Sequence, residues 1–564
     1  SRTYCFQVGA LSNHLVGIFR DFHQPLSSRS MRLEPGRTYR IRAEIDESLL
    51  RLYLDGELVA EYEERVPLRS GYLALYAYYP GKAFANVRIQ QRGLPDHVSP
   101  LAIGDAFFAR GDFVEAEREY RRVELGQGSA ELVAEASYKR GVCELRRGAP
   151  ERAFVLWQKL TGAPWMARIA LHRAELAFEQ GSHDDVLAIL ASVHTEHPSF
   201  RSRVVQRWSD FVSRLVDSDD RPLVAYLAFR TTHFGDEPSS RALTARSLRA
   251  LGHPEEVVEG FSSERLELCD ALLALGRFDT IIAEHSDMTG LRDATLVRQG
   301  RLDLVSDSPR SRPSVFIARG QYEEAAAVAN HSDALLAAGA YERALDAHDC
   351  TPLERVTALV RLGRIDEALV TRHPLVLLNV GRGQEALAAA KTLQQRARAL
   401  DYLALAAFHE RNREAFFSYR EQARQIPFSY VWNDFWCERF LLLPLAAELL
   451  GESGTLKSSL EEIEARLGNF WCQRAYYMAR LLLDRIDERE FLAQPAQGGV
   501  RARLWLARAV AAEWAADAPS AIGAYRNLLA LPVLESYVDS PYLNPSVERF
   551  ARERLTALGA DGTH

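Results

Sequence analysis

Between Tyr39 and Ile45 the run YRIRAEI alternates apolar and polar side chains with period two, as a strand with one buried face does. LLRLYLDGELVAEY then reads as strand, turn, strand, because Asp55 and Gly56 lie between a pair of apolar runs and both tolerate the positive φ of a tight hairpin. GYLALYAYY (71–79) and FANVRIQ (84–90), separated by Pro80-Gly81, extend the pattern, so the first ninety residues predict an antiparallel meander. From about residue 98 the period lengthens to that of paired helices. In LAIGDAFFARGDFVEAEREYRRV, Gly104 allows two helices to approach closely, Phe107 and Phe108 fill the groove, and Gly111 makes the turn. Asp112 is expected to cap the second helix, and Ala116 and Tyr120 lie one turn apart on its packed face.

The same places recur downstream. ASYKRGVCELRRGAPERAFVLWQKL carries Gly141, Gly148, Ala153 and Trp157, and LHRAELAFEQGSHDDVLAILASV carries Ala174, Gly181, Val186 and Leu190. The turn glycines 111, 148 and 181 are 37 and 33 residues apart. Beyond DSDDRPL, a loop ending near Leu223, turn-like glycines at 252, 276, 300, 320, 339, 363 and 383 follow at intervals of 19 to 24 residues, which predicts tighter helical hairpins. ARLWLARAVAAEWAADAPSAIGAYRNLLALP returns to the longer unit, with Ala521 and Tyr525 at the packing places and Pro532 closing it.

Two resemblances follow from these residues. The helical units, with Gly104, Gly111, Ala116, Tyr120, Gly141, Gly148, Ala153, Trp157 and Gly181 as their defining positions, resemble the tetratricopeptide repeat, whose period is about 34 residues. The strand series is similar to the second half of a concanavalin-like or laminin-G-like β-sandwich, which implies two covering sheets. The fold expected is therefore multidomain: an antiparallel β-sandwich module over 1–94, then an all-α solenoid. The solenoid divides into tetratricopeptide-like repeats over 98–215, short hairpins over 221–400 and C-terminal repeats over 401–564.

Composition narrows the function. A net charge of −7 gives no reason to expect nucleic acid, and no apolar run reaches the roughly 18 to 20 residues of a spanning helix, so membrane insertion is not expected. Only five of the 69 basic residues are lysine, a bias spread over the whole chain. The six cysteines, Cys5, Cys143, Cys269, Cys350, Cys437 and Cys472, never approach metal-ligand spacing and read as reduced thiols in a cytoplasmic protein. The chain begins without Met, which suggests a segment of something longer.

Catalytic signatures fail throughout. No dinucleotide or phosphate-binding glycine loop, nucleophile elbow, zinc-protease motif or kinase catalytic loop occurs. The carboxylates from Asp46 to Glu64 are explained by a turn and a solvated strand edge, His14 and His23 are isolated, and His348 to Cys350 reads as a capped helix end. No cofactor, metal or catalytic residue is therefore expected, and the helical surface points to a protein or peptide partner. Within PFSYVWNDFWCERFLLLPL, Tyr430, Trp432 and Trp436 are candidate partner-binding aromatics, with packing in a core as the simpler reading.

The order of modules resembles the C-terminal portion of large bacterial, chlamydial-type serine/threonine protein kinases, which implies a regulatory or substrate-positioning role. Two alternatives stand beside it. One is a carbohydrate-binding module on a helical scaffold, with a glycan held on an aromatic platform at Tyr76, Tyr78 or Tyr79; the other is a free-standing assembly scaffold.

Overall fold

The computed structural model describes residues 3–13, 15–20, 24–34, 36–46, 48–64, 74–75, 83–90, 99–126, 128–235, 237–299, 301–308, 311–328, 331–347, 349–427, 436–464, 473–495, 498–532, 535 and 544–559. It divides into two compact units, the first formed by Ser1–Ser213 with Ala225–Arg241, the second by Arg214–Val224 with Ala242–His564.

The first unit opens with two three-stranded antiparallel sheets. One is β1 (Tyr4–Gly9), β2 (Leu15–Arg20) and β3 (Gln24–Ser30), the other β4 (Ile41–Asp46), β5 (Leu49–Leu54) and β6 (Glu57–Glu63), each in sequential order. The β5–β6 hairpin closes through Asp55 at φ 50° and Gly56 at φ 94°, the two left-handed residues its two-residue loop requires. Val16, Ile18 and Leu26 of one sheet share a core with Leu50, Leu52, Ala60 and Tyr62 of the other. The predicted strand over 84–90 is not there: residues 83–90 are irregular and exposed, with Ile89 75% exposed. Its alternation is that of a strand, but no ladder partner holds it among the described residues, and an unpaired strand is not stable alone.

Three helical hairpins follow: Ala102–Arg110 with Phe113–Leu125, Ala130–Arg146 with Pro150–Trp157, and Ala163–Glu179 with His183–Glu196. Each turns through a left-handed glycine, Gly111, Gly148 or Gly181. Asp112 occupies the N-cap position, but its side chain makes no capping hydrogen bond, a departure from the expectation. The chain then runs through Arg201–Ser218 and Leu223–His233.

The second unit carries the tighter hairpins, among them Arg265–Ala274 with Phe278–Glu284, Arg312–Arg319 with Tyr322–Val328, Pro352–Arg361 with Ile365–Val370, and Pro374–Asn379 with Gly383–Ala389. Gly252, Gly276, Gly320, Gly339 and Gly363 are left-handed at turns. The last turn belongs to Gly381 (φ 83°) rather than to Gly383, which starts a helix; a Cβ there would come within 2.8 Å of Leu403. Gly300 lies outside the described residues.

Longer helices then enter: Leu393–His409, Arg413–Arg424, Val500–Trp514, Ala518–Leu529 and Pro545–Ala557. They do not simply continue the array. Leu272, Phe278 and Ile281 of an early hairpin lie in one core with Leu405, Phe408, Trp436, Leu506 and Phe550. Farther along, the Gly498 N–H donates to the Ala318 carbonyl at 3.4 Å, and Pro374–Asn379 packs on Pro545–Ala557. Within this unit the short hairpins thus bury apolar side chains against the unit's own C-terminal helices.

Candidate functional site

In the first unit the leading helices of successive hairpins are tied together by a line of polar side chains set by register with the turn glycines. Asp105, six residues before Gly111, is 2% exposed; it accepts from the Tyr120 hydroxyl at 2.5 Å and from Lys139 Nζ at 3.0 Å. Lys139 stands nine residues before Gly148 and also meets Glu135 at 2.8 Å. Tyr138 bonds His172 Nε2 at 2.9 Å, and His172, nine before Gly181, meets Glu175 at 3.2 Å. Glu175, six before Gly181, receives Arg207 at 2.9 Å, and Arg207 reaches Asp210 at 3.3 Å. Every buried charge on this line thus has an opposite charge or a hydrogen bond on the neighbouring helix, as burial requires.

Aromatic rings stiffen the same face. Tyr138 stacks on Trp157 at 5.6 Å, Trp157 on His172 at 5.5 Å, and Arg168 lies over Trp165 at 5.0 Å. Behind them the packing is close. A Cβ on Gly104 would meet the Tyr120 ring at 2.5 Å, and one on Gly141 would overlap the Trp157 indole, whose Nε1–H donates to the Tyr138 carbonyl at 2.9 Å. Ala116 and Ala153 are 0% exposed beside Tyr120 and Trp157. The structure therefore brings Gly104, Ala116, Tyr120, Gly141, Ala153 and Trp157 into one packed cluster, with Gly111, Gly148 and Gly181 at its turns.

The second unit holds a cleft of about 1250 Å³ with a charged lining. Three of its five lining arginines are engaged by carboxylates: Arg439 is bidentate on Asp401 at 3.1 and 3.2 Å, Arg420 meets Glu452 at 2.5 Å, and Arg249 reaches Asp270 at 3.1 Å. Asp220, another lining residue, accepts from Arg396 at 2.9 Å and from the Leu393 N–H at 2.8 Å, filling the N-terminus of the helix Leu393–His409 with an acid of the chain itself. At one wall the helix widens into a π-turn over Glu438–Leu442. Burial pushes the Glu438 carboxyl up to about 7, with the field of Arg398 opposing, and burial also raises Asp401 against the pull of Arg439.

Trp436 is 0% exposed within the core of the second unit, and Tyr430 and Trp432 lie outside the described residues, as do Tyr76, Tyr78, Tyr79 and His348. Asp349, beside His348, bonds His331 at 2.9 Å and the Ser332 N–H at 3.1 Å, a helix-start contact. The polar line itself was missed from the sequence. Asp105 and Glu175 hold equivalent places before their turn glycines, and that equivalence is the signal that marks them. Asp220 and Arg396, 176 residues apart, have no local signal at all.

Among the described residues no three His, Cys, Asp or Glu side chains are placed to hold a metal ion. Nor is any described helix long and apolar enough to cross a membrane.

No protein-family model matches the chain. In sequence it is similar to the serine/threonine-protein kinase PknD of Protochlamydia amoebophila, 24% identical over 169 residues, which is 28% of this chain and 17% of the kinase. The chain thus matches about a sixth of that relative's length. Among solved structures it is similar to the APC/C hetero-tetramer Cut9–Hcn1 (TM-score 0.35, 13% identity, 76% of this chain and 86% of that one). It is also similar to yeast Tom70 (TM-score 0.16, 13% identity, 82% and 96%).

Proposed function

We propose that this chain is a non-catalytic protein-contact region, the regulatory or substrate-positioning region of a bacterial serine/threonine protein kinase acting in the cytoplasm. The single observation that carries the protein-contact reading is the face of leading helices in the first unit. It is broad, built from tetratricopeptide-like hairpins and held rigid by lateral pairing, so a partner would meet a preorganised surface at little ordering cost. The second unit is the poorer candidate, because its short hairpins already spend apolar surface on its own C-terminal helices. The kinase portion of the reading rests on the similarity to PknD.

The test begins with the coding sequence upstream of Ser1. A kinase catalytic domain there supports the reading; the kinase is then compared with and without this chain on a protein substrate and on a short generic peptide. Removal should raise KM for the protein substrate and leave peptide phosphorylation unchanged. Equal kinetics on both substrates, or no catalytic domain upstream, would overturn the kinase assignment.

A further inference from the structure

Opposed residues of an antiparallel pair share a face of the sheet. Ile41, Ala43 and Ile45 of β4 stand opposite Leu54, Leu52 and Leu50 of β5. The three leucines are at most 5% exposed, whereas Ile41 is 45% and Ile45 53% exposed. The difference arises because, among the described residues, the other sheet covers this face through β2 and β3, which pack chiefly on β5 and β6 rather than on β4. Among the described residues β4 is also an edge strand, with a row of its backbone N–H and C=O groups unladdered.

A second segment carries the complementary pattern. Residues 84–90 alternate Ala85, Val87 and Ile89 with Asn86, Arg88 and Gln90, yet Val87 is 55% and Ile89 75% exposed. Of the nineteen well-exposed large apolar residues among the described ones, seven fall between Ile41 and Ile89, among them Ile41 and Ile45 on β4 and Val87 and Ile89 in the 84–90 segment. The polar face of β4 bears Arg42, Glu44 and Asp46, so a strand beside it would set Arg88 among carboxylates. The nineteen residues between Glu64 and Phe84 are long enough to reach across the roughly 15 Å from β6 past β5 to the far side of β4. Asn86, whose φ of 55° is left-handed, interrupts the extended run.

We propose that residues 84–90 are a docking arm that adds to the free edge of β4 as an antiparallel strand, with Val87 and Ile89 flanking Ile41 and Ile45. The resulting order, arm then β4, β5 and β6, is that of a Greek key, in which a fourth strand returns beside the first. Tethering in the same chain supplies the effective concentration that a separate partner would lack.

Hydrogen exchange on the whole chain, read by mass spectrometry in peptides covering 41–46 and 83–90, tests this. Both segments should exchange at least about tenfold more slowly than free peptides of the same sequence. Asn86→Val, which disfavours the left-handed conformation, should deepen protection in both, and Val87→Asp should abolish it over 83–90 and lower it over 41–46 to what the β4–β5 ladder alone gives, while Arg173→Gln, far along the chain, changes neither. Free-peptide rates over 83–90 in the parent chain and in Asn86→Val would overturn the proposal. So would protection that rises with protein concentration, which assigns the strand to a second copy, and so would loss of protection over 83–90 in Val87→Asp with β4 unaffected.

Discussion

At the scale of single residues, the glycines divide by physical cause. Gly148 sits at φ 76° in open space, while Gly141 has no unusual φ but no room for a methyl group against Trp157. Gly148→Ala should cost about 1–2 kcal/mol in left-handed strain, and Gly141→Ala about 1–3 kcal/mol in overpacking. Trp157→Leu should relieve the second penalty and not the first, which a double-mutant cycle of urea midpoints reads directly. Both glycines were legible in the sequence, because turn and close-approach glycines recur in register with Ala153 and Trp157. Glu438 was not, since nothing local marks a carboxylate whose burial is created by helices distant in sequence. Its folded value of about 7 lies above its ordinary 4.5, so the folded chain holds the proton more tightly than the unfolded one. Its contribution to stability is therefore full below about pH 4.5 and is lost as pH rises through 7. Glu438→Gln should flatten that fall, gaining stability relative to the parent at pH 8 more than at pH 5; parallel profiles in a denaturant series would reject the assignment.

At the scale of elements, the β5–β6 hairpin and the helical hairpins follow from local chemistry. Asp55-Gly56 accepts two positive φ angles, and a left-handed glycine ends most leading helices, with Arg411 and Ala516 taking that place after Leu393–His409 and Val500–Trp514. The strands β1 to β3 escaped because β2, LVGIFR, is buried from Val16 to Phe19 on both faces, which erases alternation, and β3, QPLSSRS, is mostly polar. Residues 84–90 show the opposite failure, alternation without a ladder partner among the described residues. Contacts between remote elements are where energy is concentrated without a local trace. Asp220, 1% exposed, ties the Arg214–Val224 segment to the start of the helix Leu393–His409 through Arg396 and the Leu393 N–H. Asp220→Ala removes a buried charge from its partner and should cost about 3 kcal/mol. Amide exchange over 391–397 should quicken with it; an unchanged exchange pattern would mean that the ion pair is incidental to the helix start.

At the scale of each whole unit, the question is whether the helical array of the second unit is additive or closed. In an open solenoid each repeat touches only its neighbours, so a run of repeats keeps most of its stability when the end is removed. The second unit is wired differently. Leu272, Phe278 and Ile281 are each at most 3% exposed because Leu405, Trp436, Leu506 and Phe550, from 120 or more residues downstream, share their core. Burial of such side chains contributes about 1.5–3 kcal/mol apiece, and a whole domain is stable by only about 5–15 kcal/mol. A fragment of residues 242–391 should therefore lack a cooperative thermal transition by circular dichroism, even though its hairpins carry intact turn glycines. A fragment of residues 1–241, whose hairpins pack on one another locally, should keep one. Cooperative melting of the 242–391 fragment would show that its hairpins are self-sufficient, and would return their inner side to the pool of surfaces on which a partner could bind. Its absence would mean that this stretch of the sequence, repetitive as it reads, is half of a core whose other half is the C-terminal helices, and would leave the leading-helix face of the first unit as the surface to test for partners.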